Sequence, residues 1–367
     1  MHLEKLSLIN YKNIHELEVS FSHRINCFIG NNGVGKTNLL DAVYYLSFCK
    51  SYFSSTDQMN INHEEQFMVL EGKYQRADLD EVIYCGVKRG QKKNFKRNKK
   101  EYKKLSEHIG LLPIVMVSPA DDRLITDGSE ERRKYMDSVI SQYDRKYLDD
   151  LIRYNRVIQQ RNKLLKDYAS GTKYDEDTLS IWDDQLVILG AEIYEKRKDF
   201  LHKLMPVFQE YYNTISQGNE IVSLEYKSQL HDHSMRDLLG NARWKDQVVQ
   251  YTTVGIHKDD LVLNLGNYPI KKMGSQGQKK SYLIALKLAQ FEFIKQIAGF
   301  NPILLLDDIF DKLDSNRVEQ IVRLVSEERF GQIFISDTNR DHLDEILSGS
   351  ALEYQLFVID NGGIVNS

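Results

Sequence analysis

The hydrophobic positions in residues 1–118 follow the period of β-strands. Apolar and polar side chains alternate along some segments, and other segments are short apolar runs bounded by turn residues. The predicted strands cover residues 3–11, 17–21, 25–29, 67–72, 81–87 and 111–119. Residues 39–46 repeat apolar side chains at helical spacing instead. This part of the chain is therefore predicted to be mixed β structure with one helix, in which 67–72 and 81–87 pair antiparallel.

The apolar spacing changes to three and four residues after Glu130, and this pattern continues to Tyr168. A polar break at 169–172 precedes a second stripe of the same spacing, which runs from Leu179 to near Pro206. Two long helices joined by a short polar loop predict an αα-hairpin, with a bend near Tyr143. The stripe favours a simple core over a partner surface, and no catalytic group is visible in it.

The remainder of the chain mixes both periods. Strands are predicted at 222–226, 261–265, 303–308 and 332–338, and helices around 235–241 and at 279–289. No internal repeat or low-complexity segment interrupts them. Strands and helices thus both occur in this part of the chain.

The composition of the chain favours a reducing compartment, but its net charge does not indicate a binding partner. At 367 residues the chain can form two domains, and its 41% hydrophobic and 28% charged residues are ordinary for a soluble protein. The net charge of −4 does not by itself indicate a polyanionic partner. Cys27, Cys49 and Cys85 are widely spaced, which argues against a disulfide framework or a zinc site. Because there is no signal peptide and no apolar run approaching about 18 residues, we expect a cytoplasmic protein that does not enter a membrane.

Positive charge is concentrated between Lys88 and Lys104, where ten Lys or Arg residues accompany the single acid Glu101. The net charge of this segment is +9 over 17 residues. One hypothesis is a hairpin that lies along a nucleic-acid backbone, because neutralisation of phosphates is additive and independent of sequence. The other is a solvated hairpin whose lysines keep a sheet edge from aggregating. The run alone favours neither.

One glycine-rich stretch carries a specific chemical pattern. Residues 30–37 match G-x-x-x-x-G-K-[ST], the phosphate-binding loop, between the predicted strand 25–29 and a predicted helix. Its members are Gly30, Asn31, Asn32, Gly33, Val34, Gly35, Lys36 and Thr37. Backbone N–H groups and the helix N-terminus would bind phosphate, Lys36 would reach the β- and γ-phosphates, and the Thr37 hydroxyl would ligate Mg²⁺. We predict a nucleotide site here.

Three later stretches indicate how the nucleotide is used. Ser275-Gln276-Gly277-Gln278 precedes a strong helical pattern, so its Ser and Gly form a second candidate anion site at a helix N-terminus. Strand 303–308 ends in two carboxylates, of which Asp307 is predicted to hold Mg²⁺ and Asp308 to act as the general base that orients the attacking water. Strand 332–338 also ends in polar residues.

The order of these motifs resembles the ABC-type ATPase head, and the long helical excursion resembles its SMC-like branch. In that class the Ser-x-Gly-Gln loop binds the γ-phosphate held by another protomer, so ATP joins two heads. The implied fold is an α/β ABC-type P-loop ATPase head, with a mixed sheet, an antiparallel β subdomain and an inserted long helical hairpin. We expect residues 1–118 to form the N-terminal part of the head, 119–240 the helical arm, and 241–367 the C-terminal part.

Seven stretches, in order over nearly the whole chain, resemble the RecF family of bacterial recombination proteins. They are residues 8–13, 33–40, 117–122, 131–137, 154–165, 254–261 and 275–281. The resemblance implies an ATP-dependent DNA-binding protein that dimerises on ATP and binds single-stranded and gapped DNA. It also implies action with RecO and RecR in loading RecA, and thus a role in gap repair, replication-fork maintenance and the SOS response.

The resemblance further implies the roles of individual residues. Lys36 and Thr37, with the rest of their loop, bind ATP, and Asp307 serves Mg²⁺. Ser275, together with Gly277 and Gln278, completes the site of a second protomer. Lys12 takes a position where the wider head family often has a basic residue near the phosphates. Asp308 is one methylene shorter than glutamate, and misplacement of water by about 1 Å can cost on the order of a hundredfold in rate, so we expect only weak, DNA-stimulated hydrolysis.

The chain departs from the family pattern at several positions. They are Lys50 in place of an arginine, Ile256 in place of a proline before His257, and Asp311-Lys312 in place of Ser-Glu. The change at Asp311 and Lys312 leaves open whether these two residues make an inter-subunit contact. Because no histidine follows Phe334-Ile335, the γ-phosphate sensor must come from Ser336, Asp337 or Thr338.

Two other classes of function stay open at the level of sequence. One is an ATP-driven enzyme that cuts or unwinds DNA, although neither a His/Asp cluster for phosphodiester cleavage nor a second motor core is visible in the sequence. The other is a nucleotide-binding scaffold that never touches DNA. Assays for binding, cleavage and unwinding of a gapped duplex separate the three.

Overall fold

The structure is a computed structural model that describes residues 1–76, 79–171, 175–218, 220–310, 313–325, 329–338 and 354–365. The chain forms two compact units. The first comprises Met1–Asp122, Glu210–Asn219 and Ser275–Ser367, and the second comprises Arg123–Gln209 and Glu220–Gly274.

The described strands and helices follow one another as below. The strands are β1 (His2–Tyr11), β2 (Ile14–Ser20), β3 (Ile25–Ile29), β4 (Phe67–Arg76), β5 (Leu79–Lys88), β6 (Asn94–Arg97), β7 (Lys100–Glu101), β8 (Ile114–Val117), β9 (Val222–Lys227), β10 (Asp260–Leu265), β11 (Tyr268–Pro269), β12 (Ile303–Asp307), β13 (Ile333–Asp337), β14 (Tyr354–Asp360) and β15 (Gly363–Val365). The helices are α1 (Lys36–Phe48), α2 (Asp122–Thr126), α3 (Ser129–Ser141), α4 (Arg145–Ala169), α5 (Glu176–Ser216), α6 (Met235–Val249), α7 (Ile270–Met273), α8 (Gln276–Ala298) and α9 (Ser315–Val325).

A mainly parallel sheet in the first unit has the order β15-β14-β3-β13-β12-β8. Strands β14, β3, β13, β12 and β8 are parallel, and β15 adds antiparallel to β14 at the edge. The carboxyl ends of parallel strands meet at one edge of a sheet, and the register aligns Ile29 with Asp337 and Ser336 with Asp307. This alignment brings the ends of strands that are far apart in sequence to one place.

The second sheet of the first unit is antiparallel, in the order β2-β1-β4-β5-β6-β7. Strands β4 and β5 pair antiparallel along ten residues each, as predicted. Helix α1 contacts strands of both sheets and is buried around almost its whole circumference, from Leu39 to Phe48. A helix covered on all sides needs apolar residues on all faces, which explains the continuous apolar sequence after the glycine loop.

The second unit contains helices α3, α4 and α6, most of α5, and the sheet β11-β10-β9. The predicted bend near Tyr143 is present: α3 ends at Ser141, and the Asp144 carboxylate accepts a hydrogen bond from Tyr147 N at 2.9 Å to begin α4. Two fully buried arginines hold the unit together through ion pairs. These are Arg161 with Asp183 and Asp246, and Arg197 with Asp137 and Asp259.

The second long helix does not stop near Pro206 as predicted, because α5 continues through that proline to Ser216. An interior proline costs about 3 kcal/mol, but burial of a large apolar side chain returns about 1.5–3 kcal/mol. Phe208, Tyr211, Tyr212 and Ile215 are all buried beyond the proline. Their burial outweighs the lost backbone hydrogen bond.

The second unit also contains residues 241–274, which the sequence analysis assigned to the C-terminal part of the head. The reason is strand pairing, since β10 pairs with β9 over its whole length from Asp260 to Leu265. Among the described residues, no helix is both long enough and apolar enough to span a bilayer.

Candidate nucleotide-binding site

The glycine loop connects β3 to α1, which is the strand–loop–helix context that the sequence predicts. Gly30 and Gly35 have φ values of 155° and 117°, a region that favours glycine. The Lys36 ammonium donates hydrogen bonds to the carbonyls of Gly30 and Asn31 at 2.8 and 2.9 Å. Lys36 Nζ therefore lies over the loop that it would share with a bound polyphosphate.

Asp307 receives hydrogen bonds from three elements at the carboxyl edge of the sheet. Thr37 Oγ1 and Ser336 Oγ donate to its Oδ1 at 2.9 and 2.6 Å, and Ser118 Oγ lies 3.4 Å from its Oδ2. Burial raises the pKa of the Asp307 carboxyl, against the opposing effect of these hydroxyls and of Lys36. Hydroxyl and carboxylate oxygens are the ligands Mg²⁺ prefers, so the convergence of Thr37 and Asp307 fits that ion.

Asp308 has a strained backbone and a perturbed carboxyl. Its φ is 45°, and its N–H faces the Ser336 carbonyl and hydroxyl oxygens at 3.2 and 3.3 Å. Burial raises the pKa of the Asp308 carboxyl, and the neighbouring Asp307 charge raises it further. A raised pKa is the direction that suits a general base. Lys280, in the first turns of α8, donates to the Asp308 carbonyl at 3.1 Å.

Lys12 binds the helix that follows the loop. Its ammonium lies 2.5 Å from Asp41 Oδ2, and Asp41 is fully buried in α1. The same carboxylate accepts hydrogen bonds from Tyr11 OH, Ser51 Oγ and the backbone N–H of Tyr52, each at 2.7 Å. Asp41 thus fixes the position of the Lys12 ammonium. In the sequence, Asp41 stands out as the single acidic residue of the apolar helix α1.

Ser275 is the N-cap of α8 and is exposed. Gln278 N donates to Ser275 Oγ at 3.2 Å, and Ser275 N donates to Gln278 Oε1 at 2.8 Å, which forms a capping box around Gly277. These hydrogen bonds lie within the cap, and none of the hydrogen bonds among the described residues joins Ser275 to the glycine loop.

The three candidates for a γ-phosphate sensor differ in their surroundings. Ser336 is fully buried and committed to Asp307, and Asp337 is 5% exposed. Thr338 is exposed directly after Asp337, whose register partner is Ile29, the residue before the glycine loop. Of the two hydroxyl side chains among these candidates, Thr338 is the exposed one.

Two residues beside the loop were missed by the sequence reasoning. Asn13 Nδ2 donates to the Val34 carbonyl at 3.2 Å, and the Asn13 side chain lies 3.1 Å from where a Cβ on Gly35 would be. Gly362, in the β14–β15 turn, donates its N–H to the same Val34 carbonyl at 2.8 Å. Neither position carries a local signal beyond a turn residue.

Comparison with known proteins identifies the family. The RecF/RecN/SMC N-terminal domain family matches residues 2–355. A DNA replication and repair protein RecF from Phocaeicola vulgatus is 54% identical over 99% of this chain and 98% of its own length, and one from Porphyromonas gingivalis is 46% identical over 99% of this chain and all of its own length. The chain belongs to the RecF family.

Solved structures agree with this assignment. A structure of the recombination mediator protein RecF with ATP, in the RecFOR pathway, has a TM-score of 0.89 at 30% identity and covers 99% of this chain and 97% of that chain. An Smc head domain from Pyrococcus furiosus has a TM-score of 0.58 at 16% identity and covers 99% of this chain and 96% of that chain, which shows likeness of fold alone. The predicted fold, an ABC-type ATPase head of the SMC-like branch, is confirmed.

Most departures from the RecF pattern can be located. His257 lies in the second unit, where its Nδ1 is 2.9 Å from Tyr154 OH and its Nε2 is 3.0 Å from Thr252 O, and burial lowers its pKa to about 4. It therefore acts as a neutral structural bridge. Lys50 is exposed immediately after α1. Asp311 and Lys312 lie outside the described residues.

A buried ionic cluster connects helix α8 to the residues around Asp307; α8 begins at the Ser-x-Gly-Gln motif of residues 275–278 and is here called the signature helix. Lys287 Nζ lies 2.7 Å from Asp121 Oδ1 and 3.1 Å from Tyr52 OH, and Tyr52 OH donates to the same carboxylate. Asp121 Oδ2 accepts from Ser118 N at 2.9 Å. Ser118 is the residue whose hydroxyl approaches Asp307, so a continuous set of polar contacts runs from the middle of α8 to the Asp307 carboxylate.

Proposed function

We propose that this RecF-family chain is an ATP-switched DNA-binding protein of recombinational repair. ATP joins two copies into a homodimer that binds single-stranded and gapped DNA. With RecO and RecR, the dimer promotes loading of RecA, which supports replication-fork maintenance and the SOS response. The site of action is the cytoplasm.

The observation that carries the proposal is the division of the site into two parts. The Lys36 loop, Thr37 and Asp307 converge within one chain. Ser275 stands exposed at the N-terminus of a long helix, with its hydrogen bonds confined to its own cap. A helix N-terminus favours bound phosphate, so Ser275, Gly277 and Gln278 of one protomer would close over ATP held by the other.

The residues of the glycine loop and its neighbours would contact different parts of the bound MgATP. Lys36 exchanges the carbonyls of Gly30 and Asn31 for the β- and γ-phosphates, and backbone N–H groups of residues 30–37 surround the phosphates. Thr37 and Asp307 would hold Mg²⁺, which neutralises charge on the phosphates when bound. Lys12 supports the loop through Asp41 rather than by direct contact.

Hydrolysis is assigned to Asp308 and a sensor on the neighbouring strand. The Asp308 carboxylate orients the attacking water, and the raised pKa of this group helps it to accept a proton. Thr338 would donate to the γ-phosphate in place of the histidine that is absent. Because Asp308 is shorter than glutamate, the reaction is slow, and binding rather than turnover is the main output.

Light scattering with ATP, ADP or no nucleotide, with and without gapped DNA, tests the switch. We expect a dimer only with ATP. Lys36→Ala should stay monomeric. Ser170→Arg, which is the control for Ser275→Arg at another exposed serine, should dimerise with ATP as the wild type does. A Lys36→Ala protein that still dimerises with ATP contradicts the switch, and rapid turnover without DNA contradicts slow hydrolysis.

A mixing experiment tests the shared site. Lys36→Ala and Ser275→Arg should each abolish hydrolysis, but a heterodimer of the two has one site with both an intact Lys36 and an intact Ser275. We therefore expect hydrolysis to reappear on mixing. If the mixture stays inactive while the wild type hydrolyses ATP, Ser275 does not act across the dimer. Incubation of the wild type with gapped duplex, Mg²⁺ and ATP should give neither cleavage nor unwinding.

A further inference from the structure

Nine of the ten basic residues between 88 and 104 divide into an inward set and an outward set, and the tenth, Lys96, is half-buried with its ammonium 5.4 Å from the centre of the Tyr84 ring. Lys93 is 12% exposed and lies 2.9 Å from Asp57 Oδ2. Arg97 makes a two-point contact with Glu81, and Arg89 donates to the carbonyls of Glu65 and Asn62. Each of these cations is held by partners within the fold.

The outward set consists of exposed lysines for which no ion pair exists among the described residues. Its members, here called the lysine strip, are Lys88, Lys92, Lys99, Lys100, Lys103 and Lys104. They occur before, along and after the edge hairpin β6–β7, whereas the edge strand β7 itself is only two residues long. A very short edge strand is itself a protection against edge-to-edge pairing, so edge protection does not account for a set of six lysines.

The hairpin that carries the strip is rigid. Phe95 is buried, and Asn98 pairs with Val82 through both its N–H and its side-chain oxygen at 2.8 Å. Asn98 and Lys99 have φ values of 49° and 68°, as in a tight type I′ turn. The lysine strip therefore lies on a hairpin whose backbone is held by packing and hydrogen bonds, which reduces the conformational entropy lost on binding.

The positive charge of residues 88–104 indicates a polyanionic partner. Residues 88–104 carry +9 and the whole chain carries −4, which leaves −13 for the remaining residues. The remaining sequence is acidic on balance, so the segment that carries the strip concentrates positive charge that favours contact with phosphate. From Lys92 to Arg97, before the turn, an extended chain covers roughly 16 Å, which is about five base pairs of duplex.

The strip lacks the groups that bind unpaired bases. Non-specific binding of single strands relies on aromatic side chains on which bases stack. Phe95 is 1% exposed, and Tyr102 is half-buried with its OH 3.0 Å from His108 Nδ1. We infer that the lysine strip binds the phosphate backbone of the duplex part of gapped DNA. This inference rests on the DNA binding in the proposed function and deepens it by naming the surface and the form of DNA.

The test measures binding of the full chain with MgATP to a blunt duplex, a single strand and a gapped duplex, by fluorescence anisotropy over a salt series. The variant replaces Lys92, Lys99, Lys100 and Lys103 with Gln. The control replaces four exposed lysines of the second unit with Gln, namely Lys198, Lys203, Lys227 and Lys245. A third protein carries Arg at the four strip positions, which keeps the charge.

For the duplex, we expect the Gln variant to lower the slope of log K against log salt by about 3–4, at about 0.9 per lost phosphate contact. Its affinity near 0.1 M salt should fall at least about tenfold, while the control and the Arg protein stay close to wild type. Single-strand binding should change much less. Unchanged duplex binding by the Gln variant, or an equal loss for single strands, overturns the inference. Failure of the wild type to bind any DNA contradicts the proposed function instead, and melting temperatures confirm that each variant is folded.

Discussion

Replacement of Lys287 tests how strongly the signature helix is tied to the nucleotide site. The side chains of Asp121 and Lys287 are only 3% and 7% exposed, and their charged atoms are 2.7 Å apart. Removal of one partner of a buried ion pair leaves an uncompensated charge and costs about 3–5 kcal/mol. We expect Lys287→Met, which conserves most of the side-chain volume, to reduce the free energy of unfolding by this amount.

The double variant Asp121→Asn/Lys287→Met separates charge from packing. It removes both charges, and the introduced asparagine side chain keeps an oxygen that can accept from Ser118 N. Replacement of a whole buried pair is often close to neutral, so the double variant should lose less than about 2 kcal/mol and be more stable than the single one. MgATP binding should weaken in Lys287→Met and partly recover in the double variant, because Ser118 also contacts Asp307.

The measurement is urea unfolding followed by far-UV circular dichroism, with calorimetry for MgATP. Tryptophan fluorescence is unsuitable because Trp182 and Trp244 both lie in the second unit. Lys198→Met, at an exposed lysine, is the matched control and should be neutral. If Lys287→Met is as stable as wild type, or if the double variant is less stable than the single one, the buried charge is not what fixes the helix.

Three further predictions concern stability and the loop. Burial lowers the pKa of His108 from 6.5 to about 4, so between these pH values the unfolded chain binds a proton that the folded chain does not. The free energy of unfolding should therefore fall by up to about 3 kcal/mol as the pH drops from about 6.5 to about 4. In His108→Gln, the urea midpoint should depend less on pH over this range. Lys93→Ala should lower the melting temperature through loss of the Asp57 pair, yet leave DNA affinity unchanged in anisotropy. Gly362→Ala places a Cβ 2.4 Å from the backbone oxygen of Asn13, beside the glycine loop, and should weaken the ATP binding measured by calorimetry. Gly90 has a φ of +72° and open space around it, so Gly90→Ala should leave ATP binding unchanged.

The parts of the site that were predicted are those with a local signal. The glycine loop needs its residues at fixed spacing, and the carboxylates at the end of β12 follow an apolar strand. The approach of Thr37 to Asp307 joins residues 270 positions apart. It was nevertheless predictable, since parallel strands bring their carboxyl ends to one edge and each motif lies at such an end.

The parts that were missed depend on contacts between distant elements that leave no periodic trace. Asn13 and Gly362 reach the loop from two turns, and nothing in the spacing of either turn refers to the loop. Lys287 lies in an apolar helix, where its sequence neighbours do not reveal that Asp121 is the partner. The end of α5 was misjudged because a local rule about proline was outweighed by burial of side chains farther along the helix.

The capping box at α8 explains how one serine can serve both its own helix and a phosphate. Ser275 Oγ accepts a hydrogen bond from Gln278 N, and a hydroxyl has one donor hydrogen in addition to its acceptor lone pairs. The cap uses only an acceptor position, so the O–H stays able to donate to an anion. The backbone N–H of Ser275 is held by Gln278 Oε1, which fixes the orientation of the cap. The cap thus presents a donor at a positive helix end, and it does so before any partner arrives. In the proposed dimer, closure of this cap over ATP would therefore require little local reordering, which lowers the entropy lost when ATP joins two chains.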